Sequence, residues 1–185
     1  MIHLVRHAET EWSVARRHTG RTDIPLTDAG RAAARALAAP VAALRPVLVL
    51  TSPLSRAAET AALAGFPGAE REPDLAEWDY GDYEGITTAE IRERRPGWVL
   101  WRDGVPGGEA PADVGARVDR VIARAAAADG DVLLFAHGHL LRALAARWLD
   151  EPASFGGRLR LDTGTLSALG HERETRVILR WNAAG

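Results

Sequence analysis

Cysteine and lysine are both absent from this 185-residue chain. Without cysteine there is no disulfide, no thiolate metal centre and no cysteine-based phosphoryl chemistry. Without lysine there is no P-loop lysine, no Schiff base and no lysine general base. All 23 basic residues are therefore arginine, and the formal net charge of -2 gives no electrostatic case for nucleic acid or an anionic membrane as partner. No apolar run is long enough to span a bilayer, and no basic-then-apolar leader precedes the first apolar segment, so a cytoplasmic location is expected. Histidines and carboxylates are left to carry whatever chemistry exists.

The length fits one domain, taken as residues 1–185. Three apolar runs read as buried strands: Ile2 to Val5, Val47 to Thr51 and Val132 to Ala136. Ala-rich segments of helical period lie between and after them. One starts at the cap Thr27 and runs to about Leu44, ahead of Pro46, and another follows Pro53 to about Ala64. A third spans about Ala112 to Ala128 with Gly130 as its stop, and a fourth starts after Gly138 and reaches Trp148. The tail alternates over Arg158 to Leu161, Leu166 to Leu169 and Val177 to Trp181, which suggests further strands. This alternation argues an α/β fold, a mainly parallel central sheet with helices on both faces. Residues 65–111 differ: they are rich in Gly, Pro, Trp and acids, with a short helix near Thr88 to Arg94. An irregular stretch of that length inside a domain is usually functional.

Each strand is followed by a residue able to handle an anion. The first ends on Arg6-His7, the second on Ser52-Pro53 with Arg56 one turn into the next helix, and the third on His137-Gly138. Strand carboxyl ends are where open α/β sheets bind ligands, and the amino ends of the following helices favour anions. The planar fork of arginine suits phosphoryl oxygens. Two imidazoles in a cationic pocket suit covalent phosphoryl transfer, one as nucleophile and one supporting charge. An alkoxide leaving group also needs a proton, and Glu77, beside Trp78 in the irregular segment, is placed to give one.

These residues resemble the histidine phosphatase superfamily, the phosphoglycerate-mutase-like proteins. Arg6-His7 with Glu9-Thr10 is similar to the family signature, and Thr19-Gly20, Pro25-Leu26-Thr27 and Gly30 are similar to its next block. Ser52-Pro53-Leu54 with Arg56-Ala57 and Thr60-Ala61 resembles the second-arginine motif; Leu75, Glu77, Gly81, Glu84 and Gly85 fall at the proton-donor spacing; Ala136-His137-Gly138 resembles the second-histidine motif. The resemblance implies that His7 is phosphorylated, that Arg6, Arg56 and His137 clamp the phosphoryl oxygens, and that Glu77 protonates the leaving oxygen and then activates water. It further implies phosphate contacts from Ser13, Thr19, Gly20 and Gly138, no metal and no other cofactor, a small phosphorylated metabolite as partner, and a homodimer. Ser13 stands where the family commonly has Asn.

Phosphatase and phosphoglycerate mutase would share this pocket. The chain lacks the longer insertion of cofactor-dependent mutases, and its segment Glu77 to Gly85 with Trp101-Arg102-Asp103-Gly104 and Gly107-Gly108-Glu109 is most similar to acid phosphatases and sedoheptulose-bisphosphatase-like proteins. A non-catalytic phospho-ligand binder is a third reading, disfavoured by the joint presence of His7 and Glu77. His3, His18 and His171 read as ordinary structural or surface residues, with His18, next to the Thr19-Gly20 block, also a candidate for the pocket rim; His139 reads as a helix residue, and Arg142 and Arg147 as a solvated polar face. Arg16 and Arg17 read as solvated too, Arg21 as a substrate contact or a surface charge. Trp78, Trp98 and Trp101 read as core, with one or two walling the cleft.

Overall fold

The computed structural model describes residues 1–184. In chain order its strands and helices are β1 (Ile2–Arg6), α1 (Glu11–Val14), α2 (Asp28–Ala36), α3 (Ala38–Ala42), β2 (Leu48–Thr51), α4 (Ser55–Leu63), β3 (Glu70–Arg71), α5 (Thr88–Arg94), α6 (Leu100–Asp103), α7 (Pro111–Ala126), β4 (Val132–Ala136), α8 (Gly138–Trp148), β5 (Thr165–Glu172) and β6 (Thr175–Ala184). Short 3₁₀ turns cover Pro73–Leu75, Gly81–Tyr83 and Ala153–Arg158.

Among the described residues one sheet runs β3-β2-β4-β1-β5-β6. The first four strands are mutually parallel, and β5 and β6 close the far edge antiparallel. The α/β reading of a mainly parallel sheet in a single domain holds. Successive residues of a strand face opposite sides, and the two central strands obey this. Leu4, Val132, Leu134 and Ala136 pack with α7 and α8 through Val114, Val118, Val121, Leu140, Leu141 and Leu144. Val5, Leu133 and Phe135 pack on the other face with Leu37, Val41 and Ala61 from the α2–α4 side. At about 25 cal/mol per Å², this two-sided burial is the main stabilising term.

Several boundaries differ from the sequence reading. The helix from Thr27 does not run to Leu44 but breaks at Leu37 into α2 and α3. Pro40 is the cause: its ring opposes the carbonyl four residues earlier, at Ala36, which is the last residue of α2. Arg158 to Leu161 is not a strand; the Leu161 carbonyl accepts from Arg6 Nη1 at 2.5 Å instead of joining a ladder. The two-residue β3 and the one-turn helices α1 and α6 are too short to carry a period.

Register is what brings the site together. In the parallel β1–β4 pair Arg6 stands opposite Ala136, and the His7 N–H donates to the Ala136 carbonyl at 2.9 Å. His7 and His137 therefore leave the sheet side by side. Thr51 pairs with Phe135, and Ser52 N–H donates to the Phe135 carbonyl at 2.9 Å, which puts Ser52 at the same height.

Candidate active site

At this sheet edge lies a cavity of about 670 Å³ whose lining includes Arg6, His7, Glu77, Tyr80, Gly138 and His139. His7 forms its floor. Its Nδ1 lies 2.8 Å from the Ala8 carbonyl, which can only accept, so the proton sits on Nδ1 and Nε2 carries the lone pair. Burial first, then the neighbouring Arg6 and Arg56 cations, push the His7 pKa well below its ordinary value; the Ala8 hydrogen bond opposes them. His7 is thus a neutral imidazole with one committed and one free nitrogen.

Arg6 is anchored through Nη1 on Leu161, while its Nε is the one buried side-chain N or O among the described residues that has no hydrogen-bond partner. A buried unmatched donor of a cation calls for an anionic acceptor. Burial lowers the Arg6 pKa, opposed by Glu77. Gly138 is there to make room: a Cβ at this position would lie 3.1 Å from the Arg6 guanidinium carbon.

Arg56 and His137 stand one layer behind the cavity wall, both fully buried. The Arg56 guanidinium donates from Nη1 to the Thr22 carbonyl (3.0 Å), from Nη2 to the Thr19 (2.9 Å) and Gly20 (3.0 Å) carbonyls, and from Nε to His137 Nδ1 (3.2 Å). Because Arg56 can only donate, His137 Nδ1 is the acceptor and His137 Nε2–H donates to Ser52 Oγ at 2.7 Å. Neither ring nitrogen of His137 is free, and its ring centroid lies 5.1 Å from that of His7. Burial and then Arg56 hold His137 well below its ordinary pKa.

Glu77 is tied to the amino end of α8. Its carboxylate accepts from Leu140 N–H (2.9 Å), His139 N–H (3.1 Å) and its own neighbour Trp78 N–H (2.9 Å). The loop that carries it is held by Arg117, which donates to the Asp74 and Ala76 carbonyls and pairs with Glu109 at 2.7 Å. Arg117 is a positioning residue that no motif or spacing singled out.

The remaining expected contacts divide. Gly138 and Thr19 line the cavity, but the Thr19 hydroxyl donates to the Arg17 carbonyl at 3.1 Å. Ser13 lines it too, yet its hydroxyl proton goes to the Thr10 carbonyl (2.8 Å) in the capping box of α1, so the expected donation to phosphate is already committed. Gly20 does not reach the cavity. It is pressed against Trp78 and Glu84, its N–H donates to the Glu84 carboxylate at 2.9 Å, and its role here is to seat Arg56.

Two residues read as ordinary, His139 and Arg142, are cavity residues, and so is His18, whose alternative reading at the pocket rim holds. His18 is buried on the wall, with Nδ1–H donating to the Ile86 carbonyl at 2.8 Å. The His139 side chain meets Tyr80 Oη, and burial first, then Glu77, pushes the Tyr80 pKa well up, so the phenol keeps its proton. Arg142 is half-buried on the wall rather than solvated, with its guanidinium 4.7 Å from the Trp101 ring centroid. The signal was its position four residues after Gly138, hence on the same helix face. Trp98 and Trp101 wall the cavity, and Trp78 is core. Arg21 pairs with Asp79 at 2.8 Å and Arg147 with Asp119 at 2.9 Å. His3 faces Asp131 at 3.0 Å, and His171 sits exposed against Trp148.

A free imidazole lone pair beside an unmatched guanidinium, under a carboxylate at the edge of an α/β sheet, has the chemistry to receive a phosphoryl group. The chain belongs to the histidine phosphatase superfamily (branch 1), whose family model matches residues 2–184. It is 42% identical over 179 residues to an acid phosphatase of Mycobacterium tuberculosis, covering 95% of this chain and 88% of that one. It is 36% identical over 178 residues to a sedoheptulose 1,7-bisphosphatase of Saccharomyces cerevisiae, covering 78% of this chain and 66% of that one. A solved structure of an open-reading-frame product of Mycobacterium tuberculosis superposes with a TM-score of 0.95 at 40% identity, covering 99% of this chain and 97% of that one. No helix among the described residues is long and apolar enough to cross a membrane.

Proposed function

We propose that this chain is a phosphomonoesterase that hydrolyses small phosphorylated metabolites, sugar or glycerate phosphates, through a phosphohistidine on His7. The observation that carries the reading is the His7 tautomer: Nδ1–H held by the Ala8 carbonyl and an unprotonated Nε2 on the cavity beside the unmatched Arg6 Nε. In the first step Nε2 attacks phosphorus, the P–O ester bond breaks, and the leaving oxygen takes a proton from Glu77. In the second, the Glu77 carboxylate takes a proton from water, the hydroxide oxygen bonds to phosphorus, and the P–N bond breaks to restore His7.

Arg6 binds the phosphoryl oxygens directly. Arg56 adds positive charge and His137, as a neutral imidazole, hydrogen-bonding capacity from behind His7, and each contacts a phosphoryl oxygen by exchanging one of its present partners. The cations that stabilise the transition state are side chains of this chain, so the reaction is proposed to run without a metal or other cofactor. The partner is the small metabolite alone; a cytoplasmic location and a homodimer complete the reading.

Hydrolysis of 4-nitrophenyl phosphate in excess EDTA, abolished in His7→Ala, supports the assignment. Activity lost in EDTA and restored by zinc overturns metal independence. Interconversion of phosphoglycerates with little phosphate released overturns the phosphatase in favour of a mutase.

A further inference from the structure

The cavity is larger than one phosphoryl group requires, and its charges are unbalanced in a specific way. Among the described residues eight arginines are buried or half-buried: Arg6 and Arg142 on the cavity, and Arg31, Arg56, Arg117, Arg124, Arg147 and Arg176. Each of the last six has a carboxylate within 4.0 Å. The two exceptions both face the same cavity. A cation withdrawn from water is costly unless an anion accompanies it. For Arg6 that anion is the phosphoryl group of the proposed reaction. Arg142 needs another.

We propose that Arg142 binds a second anionic group of the substrate, a phosphate or carboxylate remote from the ester that reacts at His7, an inference that rests on the phosphatase reading. The guanidinium is presented for this purpose. Its Nε donates to the Gly156 carbonyl (2.9 Å) and its Nη2 to the Gly157 carbonyl (3.4 Å), which leaves Nη1 without an acceptor among the described residues. The Trp101 ring beneath it is pressed so tightly onto the same loop that a Cβ at Gly156 or Gly157 would lie 2.7 or 2.9 Å from the indole. The two glycines let the backbone and the ring together fix the direction of the Arg142 fork.

Other groups on the wall do not neutralise it. Glu77 is already bound by three backbone N–H donors, and Asp162 pairs with Arg160 at 3.1 Å. Arg16, Arg17 and Arg92 add charge at the rim, with no carboxylate of the described residues within ion-pair distance. Burial lowers the Arg142 pKa, with Glu77 opposing from longer range. The preferred substrates are therefore anionic at both ends: bisphosphates, or phosphate esters that also carry a carboxylate.

The test compares matched pairs of probes, fructose 1,6-bisphosphate with fructose 6-phosphate and 3-phosphoglycerate with glycerol 3-phosphate, in the wild type, Arg142→Gln and Arg142→Lys. The first pair reads a second phosphate and the second a carboxylate. The wild type favours the doubly anionic member of at least one pair, and the bisphosphate releases one phosphate fast and the other slowly. In Arg142→Gln the ratio of kcat/KM within that pair falls about ten- to a hundredfold, as expected for a charged hydrogen bond, mostly through KM. Arg142→Lys recovers part of it. Equal kcat/KM within both pairs in the wild type, or a ratio unchanged in Arg142→Gln, overturns the inference and leaves the phosphatase intact. If the wild type turns over none of the four probes, the phosphatase reading stands or falls on 4-nitrophenyl phosphate. The second-anion contact is then read by calorimetry on His7→Ala, where the doubly anionic member binds tighter or the inference falls too.

Discussion

Replacing Glu77 by Gln separates the structural role of this side chain from the proton donation proposed for it. Structurally, Oε1 accepts from Trp78 and Leu140 N–H and Oε2 accepts from His139 N–H. The substituted amide can keep the two bonds to Oε1, but its NH₂ then faces the His139 N–H, donor against donor. The buried N–H left without an acceptor costs about 1–3 kcal/mol. Removing a negative charge from the amino end of α8 costs up to about 1 kcal/mol more. Together these amount to about 1–4 kcal/mol, or a fall in Tm of roughly 2–15 °C for a chain of this size.

Chemically, the same substitution removes the proposed proton donor, worth about 10²–10⁴ in rate. That loss depends on the leaving group. A sugar alkoxide must be protonated, whereas 4-nitrophenolate departs without a proton at neutral pH. Because kcat/KM stops reporting once the first alcohol has left, it is blind to the later role proposed for Glu77 as base. Glu77→Gln should therefore lower kcat/KM for fructose 6-phosphate by about a hundredfold or more, and for 4-nitrophenyl phosphate far less. The assays are phosphate release, nitrophenol absorbance and urea denaturation. Equal losses on both esters would refute the proton-donor role, and a variant as stable as the wild type would refute the structural one.

The His7 pKa is lowered, so Nε2, the proposed attacking nitrogen, stays unprotonated below the ordinary titration range of histidine, and loss of the rate on the acid limb falls lower too. With a donor that must be protonated for the first step, the optimum lies on the acid side of neutrality; a rate rising steadily to pH 9 contradicts this. Stability runs the other way. His7, His137 and His139 have folded pKa values pushed well below the 6.5 of the free group, so the unfolded chain takes up protons first and stability present above that value is lost as pH falls through it. Tm should drop steadily between about pH 7 and 5, and a flat profile would count against three buried neutral imidazoles. Gly30→Ala would place a Cβ 2.2 Å from the Glu9 carbonyl oxygen, so the backbone behind the His7 strand end must move. It should cost about 2–3 kcal/mol in urea denaturation, and a loss under about 0.5 kcal/mol would show that the loop yields freely.

Much of this protein was legible in one dimension because its signals are local. Apolar runs of strand length marked β1, β2 and β4; 3.6-residue periods marked α4, α7 and α8; and residues at the strand ends named Arg6, His7, Arg56 and His137. The absence of lysine and cysteine left histidine few rivals as nucleophile. Tertiary structure decided what each of these residues can still do. Strand register set His7 beside His137, and only the three-dimensional hydrogen-bond partners leave His7 Nε2 free while both nitrogens of His137 are taken. Ser13, Thr19 and Gly20 sit where the motifs put them, but caps, carbonyls and a carboxylate already hold their donors. Arg142 shows the limit most plainly. Its sequence position on an Ala-rich helix reads as solvated, because hydrophobic period reports which face is apolar and says nothing of a distant Trp101 or of a missing counter-ion. Which charges go unpaired is a property of the whole fold, and it is on those unpaired charges that the proposed ligand rests.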